Sequence, residues 1–292
     1  MKSGMVAVVG RANAGKSTLV NVLVGEKVAI VSPKPQTTRD RILGVLNADD
    51  YQIAFIDTPG IYKAESLLNS VMQKTTTDSV ADVDVILFVL DAHEGLSDAD
   101  RALVKKYTSL GVPTVLALTK TDIMPESLLI SEIKELSEEN ATIVPVSARK
   151  GKNVKELIKV LLSLLPEQEK LFSEDIVSDR SEKFMVAEIM REKILLKFQK
   201  EIPHGIAIVI NKFELRPDGK VYDVNLDIVC EKLNHKAILI GKGGNAIKEV
   251  SSFARSDMEK FLGKKVFLTT YVRVKEDWRN SASLLKELGY KD

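Results

Sequence analysis

Five short apolar runs mark the first 165 residues: Val6–Val9, Ile53–Ile56, Val85–Leu90, Thr114–Leu118 and Ile143–Val146. Each is rich in β-branched residues and gives way to Gly, Asp, Thr or Ser. Runs that are apolar throughout, without alternation, predict strands buried on both faces of a parallel sheet. Between them, Ser17–Leu23, Ala102–Tyr107 and Val154–Leu165 place apolar residues at helical spacing. Strand and helix in alternation predict an α/β domain with a mostly parallel sheet. Ile42–Leu46 precedes Ile53–Ile56 across Asn47-Ala48-Asp49-Asp50, turn chemistry that predicts a hairpin and one antiparallel edge strand.

The pattern changes after Pro166, which ends the last of these helices. Residues 167–183 are charged, poor in apolar positions and without period, and read as a linker. Beyond it, Phe184–Phe198 has a helical pattern. Ile206–Phe213 and Val221–Val229 read as strands around the turn Arg216-Pro217-Asp218-Gly219. Asn245–Leu262 reads as a helix and Lys265–Val274 as a strand. Ala237–Ile240, by periodicity alone, reads as a strand too. Two domains are expected, at 1–166 and 184–292, and 292 residues suffice for both.

Composition narrows the chemistry. A single cysteine, Cys230, excludes an internal disulfide framework and a cysteine-rich zinc site. His93, His204 and His235 show no ligand spacing. No apolar run approaches the roughly 20 residues of a membrane span. Met5–Val9 runs into a glycine-rich loop rather than a cleavage site, so a soluble, cytoplasmic protein is expected. Charge is unevenly spread: residues 181–292 hold 21 Lys and Arg against 16 Asp and Glu, and residues 1–180 hold 21 against 25. Within Lys232–Arg279 the balance is 11 against 5. A basic second half suggests an anionic partner, nucleic acid or a membrane surface, although a solvated basic face explains it equally well.

Gly10-Arg11-Ala12-Asn13-Ala14-Gly15-Lys16-Ser17 fits G-x-x-x-x-G-K-[ST], followed by Thr18. Such a loop wraps phosphates in backbone N–H groups, with Lys16 reaching the β- and γ-phosphates and Ser17 ligating Mg²⁺. A strand before it and a helix after it supply the context the motif requires. Asp57-Thr58-Pro59-Gly60 follows the strand Ile53–Ile56, at the strand end where ligands bind in open α/β sheets. Asp57 can hold Mg²⁺ through a water, and Gly60 can offer its N–H to a γ-phosphate. Thr119-Lys120-Thr121-Asp122 ends another strand. The Asp122 carboxylate can accept both guanine N1–H and N2–H₂, a donor pair that adenine lacks. The Lys120 stem would cover the base. Ser147-Ala148-Arg149 can offer a backbone N–H to guanine O6. Any one of these is an ordinary turn; all four in this order are not.

That order resembles the translation-factor-like small GTPases over about residues 5–165. The resemblance implies that Pro35-Gln36-Thr37-Thr38-Arg39-Asp40 is switch I, with Thr38 closing onto Mg²⁺ and Thr37 the second choice. Two positions depart from the family. Ala12 replaces a usual Pro, and Thr119 replaces a usual Asn, removing an amide that ties the base region to the phosphate loop. The place of the water-orienting Gln of Ras-like enzymes holds Ile61, which cannot polarise water. Slow intrinsic hydrolysis is expected unless something else stabilises the transition state. In similar GTPases an Asn at the position of Asn13 helps to bind K⁺. Lys16, Thr38, Gly60 and Asn13 are therefore the candidate catalytic residues, and Ser17, Thr38 and Asp57 the candidate Mg²⁺ ligands.

In the second domain, Gly241-Lys242-Gly243-Gly244 forms a G-x-x-G loop between Ile240 and the helix Asn245–Leu262. KH modules clamp about four nucleotides of RNA backbone with such a loop. Lys236, Lys248 and Arg255 add positive field, and Ile238, Ile240 and Ile247 could line a groove for bases. Phe253, Phe267 and Tyr271 read equally as core or as stacking platform. Ser173–Arg180, Ala187–Lys193, Lys236–Lys248 and Val272–Trp278 extend a resemblance to the Era family of bacterial GTPases over nearly the whole chain. That resemblance implies a type II KH domain, in helix–strand–strand–helix–helix–strand order, and makes Ala237–Ile240 helical. It also implies binding near the 3′ end of 16S rRNA in 30S subunit assembly, GTP and GDP as ligands, and some peripheral membrane association. A monomer is expected. The competing readings are a GTP-gated RNA-binding module with negligible hydrolysis, a GTPase docking on anionic membrane, and an ATPase, which Asp122 disfavours.

Overall fold

A computed structural model describes residues 1–61, 66–91, 93, 95–200 and 202–290. The chain divides into two compact units. The first holds Met1–Val31, Thr38–Lys63 and Met72–Asp179; the second holds Ser32–Thr37, Ala64–Val71 and Arg180–Asp292.

The first unit is built on β1 (Lys2–Val9), α1 (Lys16–Val24), β2 (Ile42–Asn47), β3 (Tyr51–Asp57), α2 (Leu67–Asp78), β4 (Val85–Asp91), α3 (Asp98–Thr108), β5 (Thr114–Thr119), α4 (Glu126–Leu136), β6 (Thr142–Pro145) and α5 (Val154–Leu164). Its sheet runs β2-β3-β1-β4-β5-β6, parallel except for β2, which pairs antiparallel with β3 across the expected hairpin. The apolar runs divide by the period of two. Val85, Leu87 and Val89 enter one core with Leu19, Leu157 and Leu161, while Ile86, Phe88 and Leu90 enter the other with Val104 and Leu136. Each central strand thus feeds two cores, which is why it must be apolar at every position.

The stretch expected as a linker departs from that reading over residues 167–179, which belong to the first unit. Val45 N–H donates to the Val177 carbonyl at 2.8 Å, Leu43 N–H to Asp179 Oδ1 at 3.0 Å, and Gly44 bridges Ser178. Gln52, fully buried, donates to the Phe172 carbonyl at 2.8 Å and accepts from Leu171 and Phe172 N–H at 2.8 and 2.9 Å. Phe172 and Ile176 pack on Leu43, Val45, Ala54 and Ile56. Aperiodic chain with few apolar residues is held here by its backbone groups, which leave no mark on hydropathy.

The second unit follows α6 (Glu182–Lys197), β7 (Ile206–Leu215), β8 (Val221–Cys230), α7 (Leu233–Ile240), α8 (Asn245–Leu262), β9 (Lys265–Val274) and α9 (Ala282–Glu287). β7 and β8 are antiparallel and β8 and β9 parallel, in the order β7-β8-β9. This is the helix–strand–strand–helix–helix–strand order, and Ala237–Ile240 is helical, against its periodicity. His235 and Leu239, one turn apart, are the buried positions of α7, and Leu233, Ala237 and Ile238 face outward. Among the described residues, no helix is long and apolar enough to cross a membrane.

Candidate active site and GxxG loop

Parallel strands deliver their C-terminal ends to one edge of the sheet, where β1, β3, β4 and β5 end at Val9, Asp57, Asp91 and Thr119. Gly10 leaves β1 at φ 148°, and a Cβ there would sit 2.3 Å from the Val89 carbonyl oxygen, so no other residue fits. The loop then enters α1 at Gly15. Lys16 is buried and donates to the Gly10 and Arg11 carbonyls at 3.1 and 3.0 Å. Burial lowers its pKa to about 8, against the opposing pull of the Asp57 charge. A phosphate bound at this loop would replace these two carbonyl partners by a full charge.

Three side chains meet beside it. Ser17 Oγ lies 2.8 Å from Thr38 Oγ1 and donates to Asp57 Oδ2 at 2.7 Å, and Thr38 Oγ1 donates to the same oxygen at 3.3 Å. Asp57 is fully buried, its Oδ1 has no hydrogen-bond partner, and burial raises its pKa despite Lys16, Ser17 and Thr38. A buried carboxylate oxygen left without a partner is costly, and a cation would satisfy it. This oxygen-only set suits a hard divalent ion. Thr37 points elsewhere: its hydroxyl donates to the Lys34 carbonyl at 2.7 Å.

Thr58 Oγ1 donates to the Val8 carbonyl at 2.8 Å, and Pro59 accepts from Thr76 Oγ1 at 3.1 Å. Gly60 lies against Ala12, and Ile61 N–H donates to the Gly10 carbonyl at 3.1 Å. The Ile61 side chain packs into the second core of this unit. Of Gly60–Leu67, which the resemblance to GTPases marks as a second candidate moving segment, residues 62–65 lie outside the described residues. Arg11 turns away from the loop to Ser97 and Asp100 at the start of α3, at 2.9 Å each. Asn13 is exposed, in the left-handed region at φ 65°.

At the base end, Ser147 Oγ donates to Asp122 Oδ1 at 2.6 Å. That bond leads the causes holding the exposed Asp122 carboxyl below the usual range, with Arg149 and Lys150 adding to it. Lys120 has φ 58° and pairs with Asp91. Thr121 N–H is 3.5 Å from the Val146 carbonyl. Thr119 corrects the expectation attached to it. Its buried hydroxyl lies 2.6 Å from the Ala14 carbonyl and 2.9 Å from that of Leu90. The tie from base region to phosphate loop is kept, made by a hydroxyl with one proton to give. Thr119→Val, nearly isosteric, should therefore weaken GDP binding about tenfold, the scale of one buried carbonyl left unpaired. Calorimetric GDP titration checks this; unchanged affinity would mean that the loop stands without the tie.

In the second unit, Gly241 (φ 74°) ends α7, and a Cβ there would lie 2.6 Å from Ala246 Cβ. A single 3₁₀ turn, Lys242–Gly244, follows, with Gly243 left-handed. Lys242, Gly243 and Lys248 are exposed, and Gly241, Gly244, Lys236 and Ile240 half-buried. Arg255 is exposed and 3.8 Å from Glu259. Phe253, Phe267 and Tyr271, undecided between core and surface, are all more than half exposed, at 59%, 59% and 52%. Sequence reasoning passed over Asp91, although its place at a strand end could have marked it, and Arg191, a helical arginine that nothing in the sequence marks as buried.

Two family models match the chain, "50S ribosome-binding GTPase" over residues 5–120 and "KH domain" over residues 201–279. The chain is 45% identical to GTPase Era of Clostridium kluyveri over 293 residues, covering all of both chains. It is also 45% identical to GTPase Era of Alkaliphilus metalliredigens, over 99% of each. A solved structure of Era in complex with MgGDPNP and nucleotides 1506–1542 of 16S ribosomal RNA matches with TM-score 0.95 and 39% identity across the whole of both chains. A variant of Aquifex aeolicus Era bound to GDP·AlF₄⁻ matches with TM-score 0.94, also at 39% identity and over the whole of both chains.

Proposed function

Because the chain belongs to the Era family of GTPases, we propose that it hydrolyses GTP to GDP and phosphate and couples this to binding the 3′ region of 16S rRNA during assembly of the small ribosomal subunit. The observation that carries the reading is likeness over both units at once to a relative captured with a GTP analogue and that RNA. The phosphate loop Gly10–Gly15 cradles the phosphates through its N–H groups, Lys16 holds the β- and γ-phosphates, and Asp122 selects guanine. Ser17, Thr38 and Asp57 hold Mg²⁺, for which the unpartnered Asp57 oxygen leaves a place. Bound there, Mg²⁺ would neutralise charge on the β- and γ-phosphates.

Hydrolysis is then a matter of placing water and spreading charge. Ile61, packed into the core, does neither. Gly60 offers its N–H to the γ-phosphate. Asn13, exposed at the loop, would hold K⁺, which would supply positive charge to the transition state. On the RNA side, the Gly241–Gly244 loop takes the sugar-phosphate backbone, with Lys236, Lys242, Lys248 and Arg255 around it. Coupling requires only that the GTP and GDP states bind RNA unequally.

Ile61 favours a second reading, a GTP-gated RNA-binding module whose own hydrolysis is too slow to matter. One experiment separates them. The chain is titrated with a short RNA matching the 3′ end of 16S rRNA, in a GTP analogue and in GDP, at fixed salt because phosphate contacts are salt-dependent. Phosphate release is followed in parallel in K⁺ and in Na⁺. Binding should weaken markedly in GDP and fall about tenfold in Gly243→Asp, whose carboxylate would face a phosphate. RNA-stimulated, K⁺-dependent turnover supports the enzyme, and turnover absent under every condition supports the module. Equal RNA binding in both nucleotide states would sink the coupling.

A further inference from the structure

Arg191, on α6, is 2% exposed and takes no part in the nucleotide or RNA contacts above. Glu188, one turn earlier, accepts from its Nε at 2.7 Å and from its Nη2 in a forked ion pair. The guanidinium also faces main chain: Nη1 donates to the Gln36 carbonyl at 3.4 Å, and Nη2 donates to the Thr37 carbonyl. Residues Ser32–Thr37 cluster with the second unit, to which Arg191 belongs. The segment is shaped to offer these carbonyls. Gln36 is left-handed at φ 62°, and the Thr37 hydroxyl folds back onto Lys34.

A buried ion pair seldom adds stability over a well-packed apolar pair, so its presence here calls for a task. Two successive carbonyls supply one. A planar guanidinium presents several donors in a fixed fork, which a point-like ammonium does not. The next residue in the chain is Thr38, whose hydroxyl lies against Ser17 and Asp57. The same helix is also tied to α8, the helix that follows the GxxG loop, by Lys193 to Asp257 and by Lys197 to Glu249 at 2.6 Å.

We infer that Arg191 is a positioning residue for Thr38: by holding the Gln36 and Thr37 carbonyls, it fixes the segment that delivers the Thr38 hydroxyl to the Ser17–Asp57 centre. The inference rests on the GTPase reading, in which Thr38 serves the γ-phosphate state and GDP does not use it. Arg191 should therefore matter for GTP and not for GDP, a distinction that a purely structural residue would not make.

The test compares the full chain with Arg191→Met, with Arg191→Lys, and with Glu188→Gln/Arg191→Met, which removes the pair without stranding a buried carboxylate. Affinities for GDP and for a non-hydrolysable GTP analogue are measured with Mg²⁺ present, alongside thermal unfolding. Affinity for the analogue should fall about tenfold, the scale of a lost charge-assisted hydrogen bond, with GDP affinity unchanged and partial recovery in Arg191→Lys. If the single variant does not fold, the double variant carries the measurement. Equal loss for both nucleotides, or an unchanged ratio in a folded variant, overturns the inference. A wild-type chain that binds neither nucleotide would remove the GTPase reading, and this inference with it.

Discussion

Asp122→Asn should turn a guanine site into a xanthine site. The wild-type carboxylate is ionised at neutral pH, held below its usual range mainly by the Ser147 hydroxyl that also fixes its orientation. In the proposed reading it accepts from guanine N1–H and N2–H₂ together. An amide keeps one acceptor but sets an NH₂ against guanine N2–H₂, donor facing donor. Xanthine carries a carbonyl at that position and restores the match. Losing one hydrogen bond to a charged acceptor costs about 1.5–3 kcal/mol, and the one that survives now meets a neutral oxygen, so GTP affinity should fall about a hundredfold. Polar groups built for a specific partner reject the mismatch more strongly than apolar pockets do. Competition of GTP, XTP and ATP for the wild-type and variant proteins reads the switch. A variant that still prefers GTP would remove Asp122 from base recognition.

Gly60→Ala tests the γ-phosphate side. Here glycine is required for space: a Cβ would stand 2.7 Å from Ala12 Cα and 2.8 Å from Ala12 N, both backbone atoms. The chain cannot yield easily, since Pro59 is held by Thr76 and Ile61 by Gly10. An alanine must push this turn away from the phosphate loop, moving the Gly60 N–H that is proposed to face the γ-phosphate. Removing one such donor from a preorganised site costs about a hundredfold or more in rate. GDP binding should change far less, because Lys16, Ser17 and Asp122 do not lean on Gly60. Single-turnover hydrolysis beside GDP titration checks both halves; a rate near wild type would show that this N–H is idle.

Legibility in the sequence followed the kind of force at work. Fully apolar runs such as Val85–Leu90 marked the central strands, because burial on both faces leaves no other composition. The phosphate loop was legible because close backbone approach leaves glycine alone at Gly10. α7 was not readable by period, since Leu233 and Ile238 are apolar yet exposed, and only the family resemblance made it a helix. That Thr119 replaces the amide tie with a hydroxyl is not legible, because residue type does not reveal that its hydroxyl reaches the Ala14 carbonyl. Arg191 and Gln52 escaped notice for the same reason. Both act on backbone carbonyls far away in the chain, and a carbonyl looks the same at every residue.

The strip from Phe172 to Asp179 changes where the first unit can be cut. β2 is the outer strand of its sheet, and Val177, Ser178 and Asp179 occupy its free hydrogen-bonding side. A fragment ending at Pro166, where the helical pattern stops, would keep every element of the phosphate site. It would also leave a naked apolar strand edge, the template on which copies of a chain stick to one another. A fragment carried through Asp179 takes its own cover with it. The segment without periodicity is thus a guard against aggregation.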